Sequence, residues 1–210
     1  MIKFNKSPGF TLIELLVSMA MFSIVISLFV SSKISQTNQG ITQQQAVEMQ
    51  QTARSVILLM TNEIRTAGYN PHYKNYRPGI TNADASTLTF SSVASDDGTD
   101  NNGDGTIDED GEFETITYGI QDNDGDGDND LTVNFNGSGA QLLAENISAL
   151  TFTYFDETGA ALAVPVADPE NIRSIGISIT VGTDINELAR SSTNNTRTLS
   201  TIVCPRNLEF

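Results

Sequence analysis

Two short acidic segments hold the residues best suited to chemistry: Asp100-Asn-Asn-Gly-Asp-Gly-Thr-Ile-Asp108 and Asp122-Asn-Asp-Gly-Asp-Gly-Asp-Asn-Asp130. Both place oxygen-bearing side chains at positions 1, 3, 5 and 9, with Gly105 or Gly127 at position 6. Alternate oxygens on a turning chain converge on one point, and the glycine permits the sharp bend between them. The matching ion is Ca2+, which accepts six to eight oxygens in a flexible cage. The ligand candidates are Asp100, Asn102, Asp104, Thr106 and Asp108 in the first loop, and Asp122, Asp124, Asp126, Asp128 and Asp130 in the second. They lie in acidic stretches 96–112 and 122–130, and 14 of the 26 acidic residues fall between Asp96 and Asp130. No Lys or Arg occurs between Arg77 and Arg173. Such a block repels itself unless something positive sits in it. The expectation is a structural calcium ion that ties down the loops.

The spacing resembles the front of an EF-hand loop but departs from it at the end. Position 12 is Gly111 in the first loop and Val133 in the second, so the bidentate Glu is missing. The flanks read as strands, and the compact aspartate repeats of dockerins and thrombospondin-type modules are the nearer likeness. Asp110 or Glu112 can supply a late ligand to the first loop, and carbonyls and water can complete the second.

Little else points to chemistry. His72 is the one histidine and lies in a polar, turn-like stretch. Cys204 is the one cysteine, so no intrachain disulfide can form. The chain has no G-x-S-x-G, Walker loop or H-E-x-x-H. These features predict a protein that is not an enzyme. A formal net charge of -15 also argues against nucleic acid as a partner, since phosphate binding needs Lys and Arg.

The remaining chemical signal is at the N-terminus. A basic leader with Lys3 and Lys6 ends at Gly9, and an apolar run extends from Phe10 to Val30. At 1.5 Å per residue that run is about 30 Å long, the thickness of a bilayer's hydrocarbon core. The leader lysines keep their side cytoplasmic and send the rest across. An ordinary secretory signal places a small-residue cleavage site after its apolar run; here the glycine precedes it. Glu14 sits inside the run, where an unpaired charge costs roughly 3 kcal/mol or more, so it requires a partner.

The string Gly9-Phe10-Thr11-Leu12-Ile13-Glu14 resembles the class III signal of type IV prepilins. The resemblance implies cleavage between Gly9 and Phe10 by prepilin peptidase and methylation of the new Phe10 amine. It also implies that Glu14 attracts the N-terminal amine of a neighbouring subunit during assembly. Two costly charges in lipid offset each other when paired.

These residues need a frame. Apolar positions recur at Ala46, Met49, Ala53, Val56, Met60, Ile64 and Ala67 in steps of three and four, which predicts one helical face ending near Gly68. Residues 87–90, 115–120, 131–135, 150–154, 175–181 and 199–203 alternate apolar with small or polar residues, as half-buried antiparallel strands do. The expected fold is α+β and pilin-like, with a long helix over 10–68 packed on an antiparallel β-sheet. Residues 1–9 form a cleaved leader, about 10–30 span the membrane, and 69–210 make a β-rich periplasmic or extracellular head.

Three further patches resemble the PilW family of minor pilins: Asn62-Glu-Ile-Arg-Thr-Ala-Gly-Tyr-Asn-Pro71, Glu145-Asn-Ile-Ser-Ala-Leu-Thr-Phe-Thr-Tyr-Phe-Asp156 and Val203-Cys-Pro-Arg-Asn-Leu208. The layout is similar to that of GspJ-type pseudopilins of type II secretion. The resemblance implies a low-copy subunit at the pilus tip that primes assembly with other minor pilins, the major pilin and the inner-membrane assembly platform. Ser31 stands where major pilins often carry proline, and the single cysteine cannot close their C-terminal disulfide loop. The alternatives are a pseudopilin and, in another class, a pilus-tip adhesin.

Overall fold

The computed structural model describes residues 9–69, 79–92, 100, 103–105, 114–123, 125–182 and 196–208. Helix α1, Leu12–Ile64, is 53 residues long. The chain divides into two compact units, Met1–Gln44 and Gln45–Phe210.

In the first unit α1 is exposed apart from half-buried Thr42 and is apolar up to Val30, and it is long and apolar enough to cross a membrane. Its hydroxyls do not interrupt that character. Ser18, Ser23, Ser27 and Ser31 donate back to the carbonyls of Leu15, Met19, Ser23 and Ser27 at 2.8–2.9 Å. Each hydroxyl proton is thus satisfied inside the helix, which is what an apolar solvent demands.

In the second unit the rest of α1 buries Met49, Ala53, Val56, Ile57, Met60, Thr61 and Ile64. This is the stripe the periodicity predicts, with Ala46 packed at its edge. Opposite it lie, among the described residues, eight strands: β1 (Ile80–Ala83), β2 (Leu88–Ser92), β3 (Glu114–Gln121), β4 (Asp130–Phe135), β5 (Gln141–Ala144), β6 (Ile147–Phe155), β7 (Ser174–Val181) and β8 (Arg197–Val203). They form two antiparallel meanders, β1-β2-β3-β4-β5 and β6-β7-β8. The sheet expected from sequence is therefore two sheets, both feeding one core.

Alternation sets which side chains enter that core. Leu88 and Phe90 of β2, Ile116 and Tyr118 of β3, and Leu131 and Val133 of β4 point inward, as do Leu150, Phe152 and Tyr154 of β6 and Ile175, Ile177 and Ile179 of β7. Burying each such side chain contributes roughly 1.5–3 kcal/mol. Between β4 and β5, Asn136 and Gly137 take φ of 51° and 72°, a doubly left-handed turn across which Ser138 N donates to Phe135 O at 2.9 Å.

The sheets are joined by backbone hydrogen bonds from β6 to the first meander. Ile147 N donates to Asn129 O at 2.6 Å, and Phe152 N donates to Ala85 O at 2.8 Å. The Tyr154 hydroxyl donates to Asp84 O at 2.8 Å. Tyr118 of β3 is tied to the helix, its hydroxyl donating to the Glu63 carboxylate. Burial, then the Glu63 bond, pushes the Tyr118 phenol far above its ordinary pKa; burial and the nearby Asp84 charge raise that of Tyr154.

Candidate functional site

Three places carry candidate residues. The first is the start of α1. Thr11 is the residue before the helix, and its N–H and hydroxyl both donate to Glu14 Oε2, at 2.9 and 2.8 Å. Glu14 N donates back to the Thr11 hydroxyl at 3.4 Å, and Leu15 N to Thr11 O at 3.2 Å. This is a reciprocal capping box, and the pattern Thr-x-x-Glu writes it into the sequence. Glu14 therefore already holds two donors within its own chain, both on Oε2. Oε1 accepts no hydrogen bond among the described residues. Glu14 is also the sole charged residue from Phe10 to Ser32. Gly9 and Phe10 are exposed, Phe10 at 92%, so the peptide between them is accessible. The leader before Gly9 lies outside the described residues.

The second place is the pair of acidic loops. Asn102, Thr106, Asp108 and Asp124 lie outside the described residues, as do Asp110 and Glu112. The described parts repeat each other. Gly103 and Gly105 have φ of 78° and 94°, and the matching Gly125 and Gly127 have 84° and 98°. Asp100 Oδ1 and Oδ2 accept from Gly103 N and Gly105 N at 2.6 and 2.8 Å, while Asp122 Oδ1 accepts from Gly125 N at 2.7 Å. Asp126 Oδ1 accepts from Asp128 N at 3.1 Å. Asp104 is exposed.

The second loop is the turn between β3 and β4, closed by the Gln121–Asp130 pair. Asp130 is unlike the others: it is the first residue of β4 and only 1% exposed. Its Oδ2 accepts from Asn123 N at 3.1 Å, and its Oδ1 is buried without a hydrogen bond. Sequence reading places Asp130 among the ligand candidates, but nothing in the spacing reveals its burial. Among the described residues, no three His, Cys, Asp or Glu side chains stand close enough together to hold a metal ion.

The third place went unrecognised in the sequence as a contact. Beyond Ile64 the chain turns at Gly68, with φ of 79°, and Gly68 N donates to Ser91 O at 3.0 Å. The C-terminal segment lies against this turn: Arg206 N donates to Arg65 O at 3.3 Å. A Cβ on Gly68 would stand 2.6 Å from Asn207 O. Two of the patches likened to PilW, far apart in sequence, thus form one clasp at the end of the helix. Cys204 beside it is exposed and free.

Residues 4–30 match the model of the prokaryotic N-terminal methylation motif, the stretch that contains Gly9, Phe10, Thr11 and Glu14. The chain carries a class III prepilin signal. That motif implies processing by a prepilin peptidase and partners, in general terms, of a pilus or pseudopilus. The motif suggests a structural role, and together with the apolar start of α1 it fits anchoring in the inner membrane before assembly. No curated protein and no solved structure matches the chain.

Proposed function

We propose that the chain is a minor pilin that primes type IV pilus assembly, in a complex with other minor pilins at the pilus tip. Residues 10–30 hold it in the inner membrane with the head in the periplasm. Cleavage after Gly9 frees the Phe10 amine, which is then methylated. Assembly is lateral: Glu14 meets the Phe10 amine of a neighbouring subunit, and apolar helix faces pack together.

The observation that carries this reading is the state of Glu14. It is the one charge in the apolar run, with Oε2 fixed by Thr11 and Oε1 available for a neighbour's amine. A carboxylate placed so is costly in lipid until a cation meets it. Two features favour a minor over a major subunit. Helix α1 continues unbroken through Ser31, where major pilins often carry proline, and the single cysteine Cys204 offers no intrachain disulfide. The clasp between residues 65–68 and 206–207 supports the likeness to PilW, because the similar patches act as one structural element.

Deleting the gene, followed by electron microscopy and a secretion assay, tests the assignment. The expected result is loss of pili with secretion intact, restored by the wild-type gene. Intact pili with failed secretion would instead make the chain a GspJ-like pseudopilin. Normal pili that fail only to adhere would make it a tip adhesin.

A further inference from the structure

Among the described residues, no protein group meets one oxygen of Asp130. Its carboxylate is 1% exposed, one oxygen has a single backbone donor, and the other has none. A buried carboxylate oxygen left without a donor is costly until a cation or further donors meet it. Among the described residues Oδ1 meets no hydrogen-bond donor, and the sequence around it, from Arg77 to Arg173, holds no Lys or Arg between those two. In sequence, Asp122, Asp124, Asp126 and Asp128 precede Asp130, so the neighbouring side chains offer carboxylates rather than cations. Hard oxygen donors alone, four of them carboxylates in the sequence stretch before a buried fifth, match Ca2+ in particular.

The location adds a consequence. Asn129, beside Asp130, accepts the 2.6 Å hydrogen bond from Ile147 that joins the first meander to β6. Asn146, next to Ile147, has φ of 62°, and its carbonyl accepts from Gly182 N at 2.8 Å beyond the end of β7. An ion held at Asp130 therefore braces the point where the sheets meet, not merely a surface turn. The first loop offers no equivalent anchor among its described residues, since both Asp100 oxygens are taken by backbone N–H groups.

We propose that the β3–β4 turn is a calcium site, with buried Asp130 as the anchoring ligand and Asp122, Asp126 and Asp128 as ligands drawn in by the ion, and that occupancy locks the junction between the two sheets. This reading is independent of how the N-terminal helix assembles. Binding and ordering of the turn are coupled, as in other sites completed only by their metal.

The test uses the full chain in mild detergent, with unfolding of the head followed by tyrosine near-ultraviolet dichroism. Millimolar calcium should raise the unfolding temperature by about 5–11 °C over the chelator-treated protein, if it exceeds the dissociation constant about 100-fold. Magnesium and NaCl at matched ionic strength should not. The Asp130→Asn variant should lose the calcium response, yet be no less stable than wild type in chelator, because the amide removes a buried charge. Should that variant fail to fold, Asp126→Asn decides, with calcium binding about tenfold weaker or worse in an intact head. Equal unfolding with calcium and chelator would overturn the proposal, as would an equal response to magnesium or NaCl. So would a full calcium shift retained in Asp130→Asn or Asp126→Asn.

Discussion

Replacing Gly68 with alanine should be among the more damaging single-methyl changes in the head, and its cost can be divided into parts. The first part is conformational. At φ of 79° an L side chain costs roughly 1–2 kcal/mol. The second is steric. The new Cβ would stand 2.6 Å from Asn207 O and 2.9 Å from its carbonyl carbon, both backbone atoms that no rotamer change can move. Overpacking of this kind costs typically 1–3 kcal/mol. Alanine recovers about 0.4–1 kcal/mol by restricting the unfolded chain, leaving a net loss of about 3 kcal/mol.

The fold contains its own control. Gly159, in the turn after β6, has the same φ of 79°, and a Cβ there would meet nothing within 4 Å. Gly159→Ala should therefore cost only the conformational part, about 1 kcal/mol after the same correction. Measured on the full chain in detergent, Gly68→Ala should lower the head's unfolding temperature by about 6–12 °C and Gly159→Ala by about 2–4 °C. Truncation after Arg206 should remove most of the difference, since it deletes the atoms that the methyl strikes. If the two variants lose equal stability, or if truncation leaves the difference unchanged, the C-terminal segment is not seated on the helix end.

Other consequences are more direct. Tyr118→Phe removes the hydroxyl that Glu63 accepts from and should cost about 1–3 kcal/mol in head stability by urea titration. Tyr118 and Tyr154 both have phenol pKa values raised in the folded protein. Their stabilisation is present below the ordinary tyrosine pKa of about 10 and is lost as pH rises above it, by up to ~1.4 kcal/mol per pH unit for each. Alkaline titration of stability should show that slope, and Tyr154→Phe should reduce it. Thr11→Val removes the hydroxyl from the capping box and should cost about 1 kcal/mol of helix-start stability while leaving cleavage after Gly9 intact. An uncleaved Thr11→Val chain in membrane extracts would contradict that division of roles.

What could be read from the residues depended on the length of the signal. The stripe from Met49 to Ala67 spans several turns, so its period survives every local irregularity, and each apolar position in it is buried. The longer strands β3, β6 and β7 alternate over eight or nine residues and are legible for the same reason. Ile80–Ala83 and Gln141–Ala144 were missed because four residues show no period, and β5 lies at a sheet edge with a half-exposed pattern. The division into two sheets was not legible at all. It depends on β6 pairing with β7 rather than with β5, a choice between distant backbone edges that no side chain encodes.

The site was uneven in the same way. Gly9, Phe10 and Glu14 announce themselves by type and spacing. Thr11 is equally visible as the first half of a Thr-x-x-Glu box, yet its use in holding Glu14 emerges only from the geometry. In the acidic turn every aspartate looks alike in sequence. Pairing of Gln121 with Asp130 makes the last one a strand residue and turns it inward, a consequence of register rather than composition.

The central claim is best tested at the N-terminus of the protein recovered from cell membranes, by mass spectrometry of its first peptide. The chain should begin at Phe10 with a methylated amine, and in cells lacking prepilin peptidase it should begin at Met1. A wild-type protein that still carries residues 1–9, or one cut behind the apolar run, would contradict the account.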